Sequence, residues 1–261
     1  MRSRKLSCFV IVCNEADRID ACLAPLSGWV DQLVVLDSGS QDDTVSLAKQ
    51  YTDEVHETDW PGYGAQRNRA LALCEHEWVL NIDADEVITE ALKAEIDQTL
   101  SANPLTYNLV EIPWRTMLFG KPLRFGRYSS PQGKLFKKTG AQFKQRSVHE
   151  TLELPQKNVR VLRSPLLHYS WRDYTHLQDK HIKYAELIAR DKFKAGKRSS
   201  MTYAALRLIT DFIQQYVFRL GFLDGWRGFL MAVVLAQYAF NKYVGLVILQ
   251  RGQDHRPVDQ K

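Results

Sequence analysis

Three short apolar runs in the amino-terminal third, at residues 7–12, 33–36 and 78–82, each stop against polar or acidic side chains. The first two lead into stretches of helical pattern, residues 17–26 and 43–51, so strands and helices alternate. A run that is apolar at successive positions suits a strand buried on both faces, and strand–helix alternation joins such strands in parallel through right-handed crossovers. The expected fold class is therefore α/β, with a mostly parallel sheet flanked by helices. Open sheets of this kind bind ligands beyond the carboxyl ends of their strands. Asn14 and Glu15, the segment Asp37-Ser38-Gly39-Ser40, and Asp83-Ala84-Asp85-Glu86 would all fall on that rim.

The acidic segment carries the sharpest chemistry. On an extended backbone Asp83 and Asp85 point the same way, and a hard divalent ion between them would also grip a diphosphate. The plainer reading of two acids at this spacing is a solvated turn after a strand. Residues 62–71 read as a loop entering a helix, with Arg67 and Asn68 in its opening turns, where a cation can face a nucleobase or phosphate.

Charge is unevenly divided along the chain. Residues 1–100 hold 8 Lys and Arg against 19 Asp and Glu, whereas residues 134–198 hold 16 against 6. An acidic, cation-handling half thus precedes a basic segment suited to phosphorylated acceptors or lipid headgroups. No nucleic-acid-binding motif accompanies that charge, so nucleic acid is not an expected partner. The four cysteines, Cys8, Cys13, Cys22 and Cys74, lack metal-ligand spacing and fall among expected core segments, which suits a reducing cytoplasmic setting. The basic start followed by the apolar residues 6–13 has no small-residue cleavage site, so export is not expected.

The last third changes character. Residues 174–197 read as a basic helix with Leu177, Tyr184, Leu187 and Ile188 on one face. Ala205, Leu208, Ile209, Phe212, Ile213, Tyr216 and Leu220 continue at helical spacing, with Arg207, Asp211, Gln214 and Gln215 opposite. After a break at residues 221–225, residues 226–250 form another helix, which Gln237, Asn241 and Lys242 leave short of the roughly 20 apolar residues of a membrane span. A helical hairpin packed on the domain is one reading, and a hairpin in the membrane interface is the other. The expected organisation is a domain at 1–172, a helical extension at 173–250 and a polar tail at 251–261.

The succession strand-Asn14-Glu15, Asp37-Ser38-Gly39-Ser40-Gln41-Asp42-Asp43-Thr44, Gly64-Ala65-Gln66-Arg67-Asn68 and Asp83-Ala84-Asp85 resembles the family 2 glycosyltransferases of the GT-A fold. Val148-His149-Glu150, Leu167-His168-Tyr169-Ser170 and residues 219–229 narrow the resemblance to bacterial lipopolysaccharide core β-glucosyltransferases. The resemblance implies an inverting, metal-dependent transfer of a hexose, glucose from UDP-glucose, to an inner-core heptose, with Mg²⁺ or Mn²⁺ as cofactor. It also implies a peripheral place on the cytoplasmic face of the inner membrane, an anionic surface.

Residue by residue, Asn14, Glu15, Asp37, Arg67 and Asp83 would serve the donor nucleotide. Asp37 would accept a hydrogen bond from uracil, Arg67 would lie near the base or diphosphate, and Asp83 near the ribose. Ser38 stands where the family pattern has a second acid, so a role needing that carboxylate is not carried over. Asp85 would hold the metal, with His168 completing its shell. Glu150 is the expected base that takes the acceptor proton, and His149 a phosphate or acceptor contact. Trp114, Arg115, Tyr128 and residues 134–138 would shape the acceptor side, where aromatic faces and cations meet sugars and phosphates. Two rival classes share part of the pattern: a phosphohydrolase with Asp83 as nucleophile, as D-x-D-x-V suggests, and a non-catalytic nucleotide-binding module.

Overall fold

The computed structural model describes residues 2–127, 130–144 and 151–252. The chain divides into two compact units, Met1–Thr116 with Ser130–Ser170, and Met117–Ser129 with Trp171–Lys261. In place of the single boundary expected at 172, the chain leaves the first unit at 117, returns at 130 and leaves again at 171.

In chain order the first unit begins with β1 (Leu6–Val12), α1 (Ile19–Leu23), β2 (Gln32–Asp37), α2 (Thr44–Ala48), β3 (Val55–Glu57) and α3 (Tyr63–Leu73). It continues with β4 (Trp78–Asp83), β5 (Glu86–Val87), α4 (Glu90–Ser101) and β6 (Leu109–Leu118), whose last residues pair with β7 (Lys121–Pro122) in the second unit. The first unit resumes with β8 (Pro131–Lys137), β9 (Gln142–Lys144), β10 (Thr151–Glu153), β11 (Val159–Val161) and β12 (Leu166–His168). The second unit is completed by α5 (Tyr174–Lys194), α6 (Met201–Ile213) and α7 (Trp226–Gln250).

The main sheet runs β3-β2-β1-β4-β8-β6-β12-β5, with β11 and β7 also paired to β6. Strands β3, β2, β1 and β4 are mutually parallel, and β8 lies antiparallel between β4 and β6. The expected α/β class holds, because β1 is buried on both faces as its unbroken apolar run requires. Leu6, Cys8, Val10 and Val12 join the core formed with Ile19, Leu23, Leu92 and Ile96 of α1 and α4. Phe9 and Ile11 face the other way, onto Ala70 and Leu71 of α3. Each such large side chain contributes roughly 1.5–3 kcal/mol by leaving water.

Helices α1 and α2 are shorter than their sequence patterns. Pro25 has no amide to continue α1, and beyond α2 the amides of Gln50 and Tyr51 bond three residues back, to Leu47 and Ala48, so the coil tightens and ends.

In the second unit α7 packs against both α5 and α6. The buried face of α5 is Leu177, His181, Ala185 and Ala189, while the expected Tyr184, Leu187 and Ile188 are only half-buried. The reason is the closeness of α7: a Cβ on Gly245 would stand 3.1 Å from that of Ala189, so only small residues fit. Helix α6 turns its polar side inward, with Arg207 bonded to Asp211 at 2.7 Å and Gln215 buried. The helix expected to continue to Leu220 widens into a π turn at Gln214–Phe218, followed by a 3₁₀ turn at Gly221–Asp224. Contrary to expectation, α7 has the length and mean hydropathy, 1.5, of a membrane-crossing helix.

Candidate functional site

Pairing aligns the carboxyl ends of three parallel strands: Val12 lies opposite Asp37, and Ile11 opposite Asp83. With neighbouring strands about 4.8 Å apart, the residues that follow them form one continuous rim. The loops after β1 and β2 are laced together. Asn14 donates its amide to Ser40 Oγ and accepts from the Gln41 amide through Oδ1, both at 2.8 Å, and the Glu15 amide donates to Thr44 Oγ1 at 2.8 Å. Asn14 holds a left-handed backbone, φ 55°, a conformation asparagine tolerates.

Asp37 is almost wholly buried and organises its own turn. Its Oδ2 accepts the amides of Gly39 and Ser40, each at 2.8 Å, and Oδ1 accepts from Ser40 Oγ. Ser38 Oγ accepts from Gln66 Nε2 at 2.9 Å, tying this turn to α3.

Arg67 projects from α3 into the rim. It donates to Asn81 Oδ1 and Asp83 Oδ1, both at 2.6 Å, so its partner acid is the end of β4 rather than a surface group. Asn68, the next residue of α3, clamps β9: its amide exchanges two hydrogen bonds of 2.8 Å with the Phe143 backbone.

Asp83 and Asp85 do not continue one extended strand. β4 ends at Asp83, residues 84–85 form a turn, and the two carboxylates find different partners. Lys134 of β8 donates to Asp83 Oδ2 and Glu86 Oε2, both at 2.7 Å. Glu86 is fully buried and closes the turn by accepting the Asp83 amide at 2.9 Å, while its other oxygen accepts from Trp114 Nε1 at 2.6 Å. Burial pushes the Asp83 carboxyl up, yet Arg67 and Lys134 together outweigh it and hold the group well below the usual carboxylate range. For Glu86 the balance reverses: burial raises it, Lys134 opposes that, and the neighbouring charges of Asp83 and Asp85 help to keep the carboxyl above its ordinary value. Lys134 itself is held above its ordinary value, because Asp83 and Glu86 outweigh its burial.

Strand β12 brings in the histidine. It pairs antiparallel with β5, His168 opposite Glu86, and this register sets His168 Nε2 3.3 Å from Asp85 Oδ2. Trp114 flanks the imidazole with ring centroids 4.4 Å apart, and the Tyr169 amide fixes the turn by donating to the Asp85 carbonyl at 2.7 Å. Arg18, held to Glu15 at 3.0 Å, stands 3.9 Å from Asp85. A carboxylate oxygen and an imidazole nitrogen this close suit one divalent ion, and they supply two of the roughly six ligands it takes. Among the described residues no group of three or more His, Cys, Asp or Glu is so arranged.

Of the expected residues, Asn14, Glu15, Asp37, Arg67, Asp83, Asp85 and His168 lie along this rim. Glu150, His149 and Tyr128 lie outside the described residues. Two groups escaped the sequence reading. Asn81 had a visible signal, a lone amide inside an apolar strand run. Lys134, expected among acceptor-side cations, is instead the buried counter-charge of β4 and β5, a role set by long-range strand pairing.

Over nearly its whole length the chain is similar to bacterial glycosyltransferases. Over 258 residues the chain is 29% identical to an uncharacterized glycosyltransferase of Rickettsia prowazekii, covering 95% of this chain and 87% of that one. Over 255 residues it is 30% identical to the lipopolysaccharide core biosynthesis glycosyltransferase LpsC of Rhizobium meliloti, covering 90% and 89%. The crystal structure of glucosyl-3-phosphoglycerate synthase from Mycobacterium tuberculosis with Mg²⁺ and uridine diphosphate is 28% identical over 43% of this chain and 44% of that one, with a TM-score of 0.36, a likeness that decides nothing about substrate. The model of glycosyl transferase family 2 matches residues 7–153, and the chain belongs to that family.

Proposed function

We propose that the protein is an inverting, divalent-metal-dependent hexosyltransferase that moves glucose from UDP-glucose to an inner-core heptose of lipopolysaccharide, at the cytoplasmic face of the inner membrane. The observation that carries the reading is the Asp85–His168 pair at 3.3 Å, on the rim where β1, β2 and β4 end. The name of the Rhizobium relative supports the acceptor class, and the sequence resemblance supports the donor.

Asp85 and His168 would hold the ion, leaving positions for diphosphate oxygens. When bound, the ion supplies neutralising charge to the departing diphosphate. Asn14, Glu15, Asp37, Arg67 and Asp83 line the donor side. In the reaction the acceptor oxygen forms a bond to the anomeric carbon as the bond to the diphosphate oxygen breaks, and Glu150 takes the acceptor proton from the opposite face. The phosphohydrolase reading fits less well, because Arg67 and Lys134 each hold one oxygen of the nucleophile it requires, Asp83.

The test is a panel of nucleotide sugars with Mn²⁺ or Mg²⁺ and a heptose-terminated core acceptor, with nucleotide release and product followed together. Asp85→Ala is expected to abolish transfer and weaken metal-dependent donor binding. Glu150→Gln should keep donor binding and lose about 10²-fold or more in transfer. Normal turnover by Asp85→Ala would falsify the metal assignment, and hydrolysis of simple phosphomonoesters without sugar transfer would return the rival class.

A further inference from the structure

We propose that α6 and the turn after it lie in the plane of an anionic lipid bilayer, with their apolar side immersed, and that α7 is a packed helix and not a span. The inference deepens the membrane-face part of the proposed function by naming the element that makes the contact, and its saccharide-free test stands or falls separately from sugar transfer.

The first observation is the orientation of α6. Leu206, Ile209, Ile213 and Val217 recur at spacings of three and four, so they share one face, and all four are exposed, Ile209 to 58%. The ionic pair Arg207–Asp211 and the amide of Gln215 point into the unit instead. A water-facing helix does the reverse.

The second observation is the turn. It presents Phe218, 78% exposed, with Leu220, Phe222, Leu223 and Trp226. Trp226 stacks on Phe119 at 6.0 Å, and the Arg227 guanidinium lies over it at 4.4 Å, the pairing of indole and cation found at membrane–water boundaries.

Charge decides the occupant. Residues 117–127 contribute Lys121, Arg124 and Arg127 and no acid, and hydrogen bonds fasten them to the turn: Gly126 N to Arg219 O at 3.1 Å, and the amides of Arg124 and Phe125 to Asp224. Arg219 and Arg227 add to this belt, while Asp224 is committed to those amides and Asp211 to Arg207. An aliphatic and aromatic face rimmed by cations fits anionic headgroups over acyl chains, and it repels a second copy of itself.

Packing excludes α7 as the inserted element. Met231, Val234, Leu235, Ala239, Leu246 and Val247 are buried in a helix that packs against both α5 and α6, and Gln237, Asn241 and Lys242 interrupt its apolar run.

The full chain should sediment with vesicles of phosphatidylcholine and phosphatidylglycerol, free of any saccharide, and much less with phosphatidylcholine alone. Ile209→Glu with Ile213→Glu should cut partitioning about tenfold or more with no change in the circular-dichroism melt, since both side chains are exposed. Phe218→Ser serves as an independent variant with the same expected direction. Trp226 emission should shift to the blue on vesicle binding, and Trp226→Phe should remove that component. Undiminished binding by both variants would overturn the proposal. So would a lipid-free dimer that the double change dissolves, or a chain that resists alkaline extraction as a spanning protein does.

Discussion

Lys134 and Glu86 illustrate why single residues of this rim cannot be read from their neighbours in sequence. Both are buried, and each answers a charge on another strand: Lys134 on β8 compensates Glu86 on β5 and Asp83 on β4. Removing one member of a buried pair strands the other, at a cost of about 3–5 kcal/mol, whereas removing both is nearer neutral. Lys134→Met is therefore expected to lower stability by about that amount, and Glu86→Gln in the same chain to recover much of it. The pH dependence has a definite sign. A carboxyl raised in the folded state contributes fully below its unfolded value, near 4.5, and that stability is lost as pH rises through the folded value. Urea midpoints of Lys134→Met should thus fall on raising the pH from about 4.5, and the added Glu86→Gln should flatten the slope. A wild-type midpoint in the single variant, or an unchanged slope in the double, would remove Lys134 as the compensating charge.

Elements differ in how plainly the sequence announces them. β1, β2 and β4 were legible because an unbroken apolar run needs a sheet buried on both faces, and their ends then place Asp37 and Asp83 without further information. Periodicity located α6 but not its inner side: spacing fixes which residues share a face, and only packing decides which face turns inward. Here Arg207 pairs with Asp211 at 2.7 Å and Gln215 is buried, while Leu206, Ile209 and Ile213 are exposed. The apolar run ending in His168 marks β12, whereas β5 is too short to be recognised, and it is their pairing that brings His168 to Asp85. The junction between α6 and α7 depends on glycine for a different reason. A Cβ on Gly228 would lie 1.8 Å from the Gly221 carbonyl oxygen, and one on Gly221 would lie 2.6 Å from that of Gln215. Both obstacles are backbone, which cannot rotate aside. Gly228→Ala should destabilise the helical unit by about 1–3 kcal/mol or more, seen as an earlier loss of helical signal on heating. An unchanged melt would show that the turn has other ways to close.

The molecule as a whole joins a sheet-based unit to a helical one, and their acid responses should differ because their buried titrating groups differ. In the first unit Asp83 is held low by its cations, so its contribution is present above the unfolded carboxyl value, near 3.8, and is lost only as pH falls further. In the second unit His181, on the buried face of α5, bonds through Nδ1 to the Leu177 carbonyl at 2.7 Å and packs between Trp171 and Tyr238. Burial lowers its affinity for a proton, the Leu177 bond opposes that, and the charges of Lys180 and Arg127 add to the lowering. A histidine lowered in this way stabilises the fold above its unfolded value, near 6.5, and the contribution disappears as pH falls through the folded value. Acidification from pH 7.5 to about 5 should therefore weaken the helical unit before the sheet-based one. Calorimetric melts across that range are expected to show the helical transition moving down while the other does not fall, since the raised Glu86 carboxyl acts in the opposite direction. His181→Gln, which cannot take up the proton, should remove the pH-dependent part of the shift even if it lowers the starting melt. Parallel movement of both transitions, or a helical transition that still tracks pH in His181→Gln, would place the acid sensitivity elsewhere in the chain.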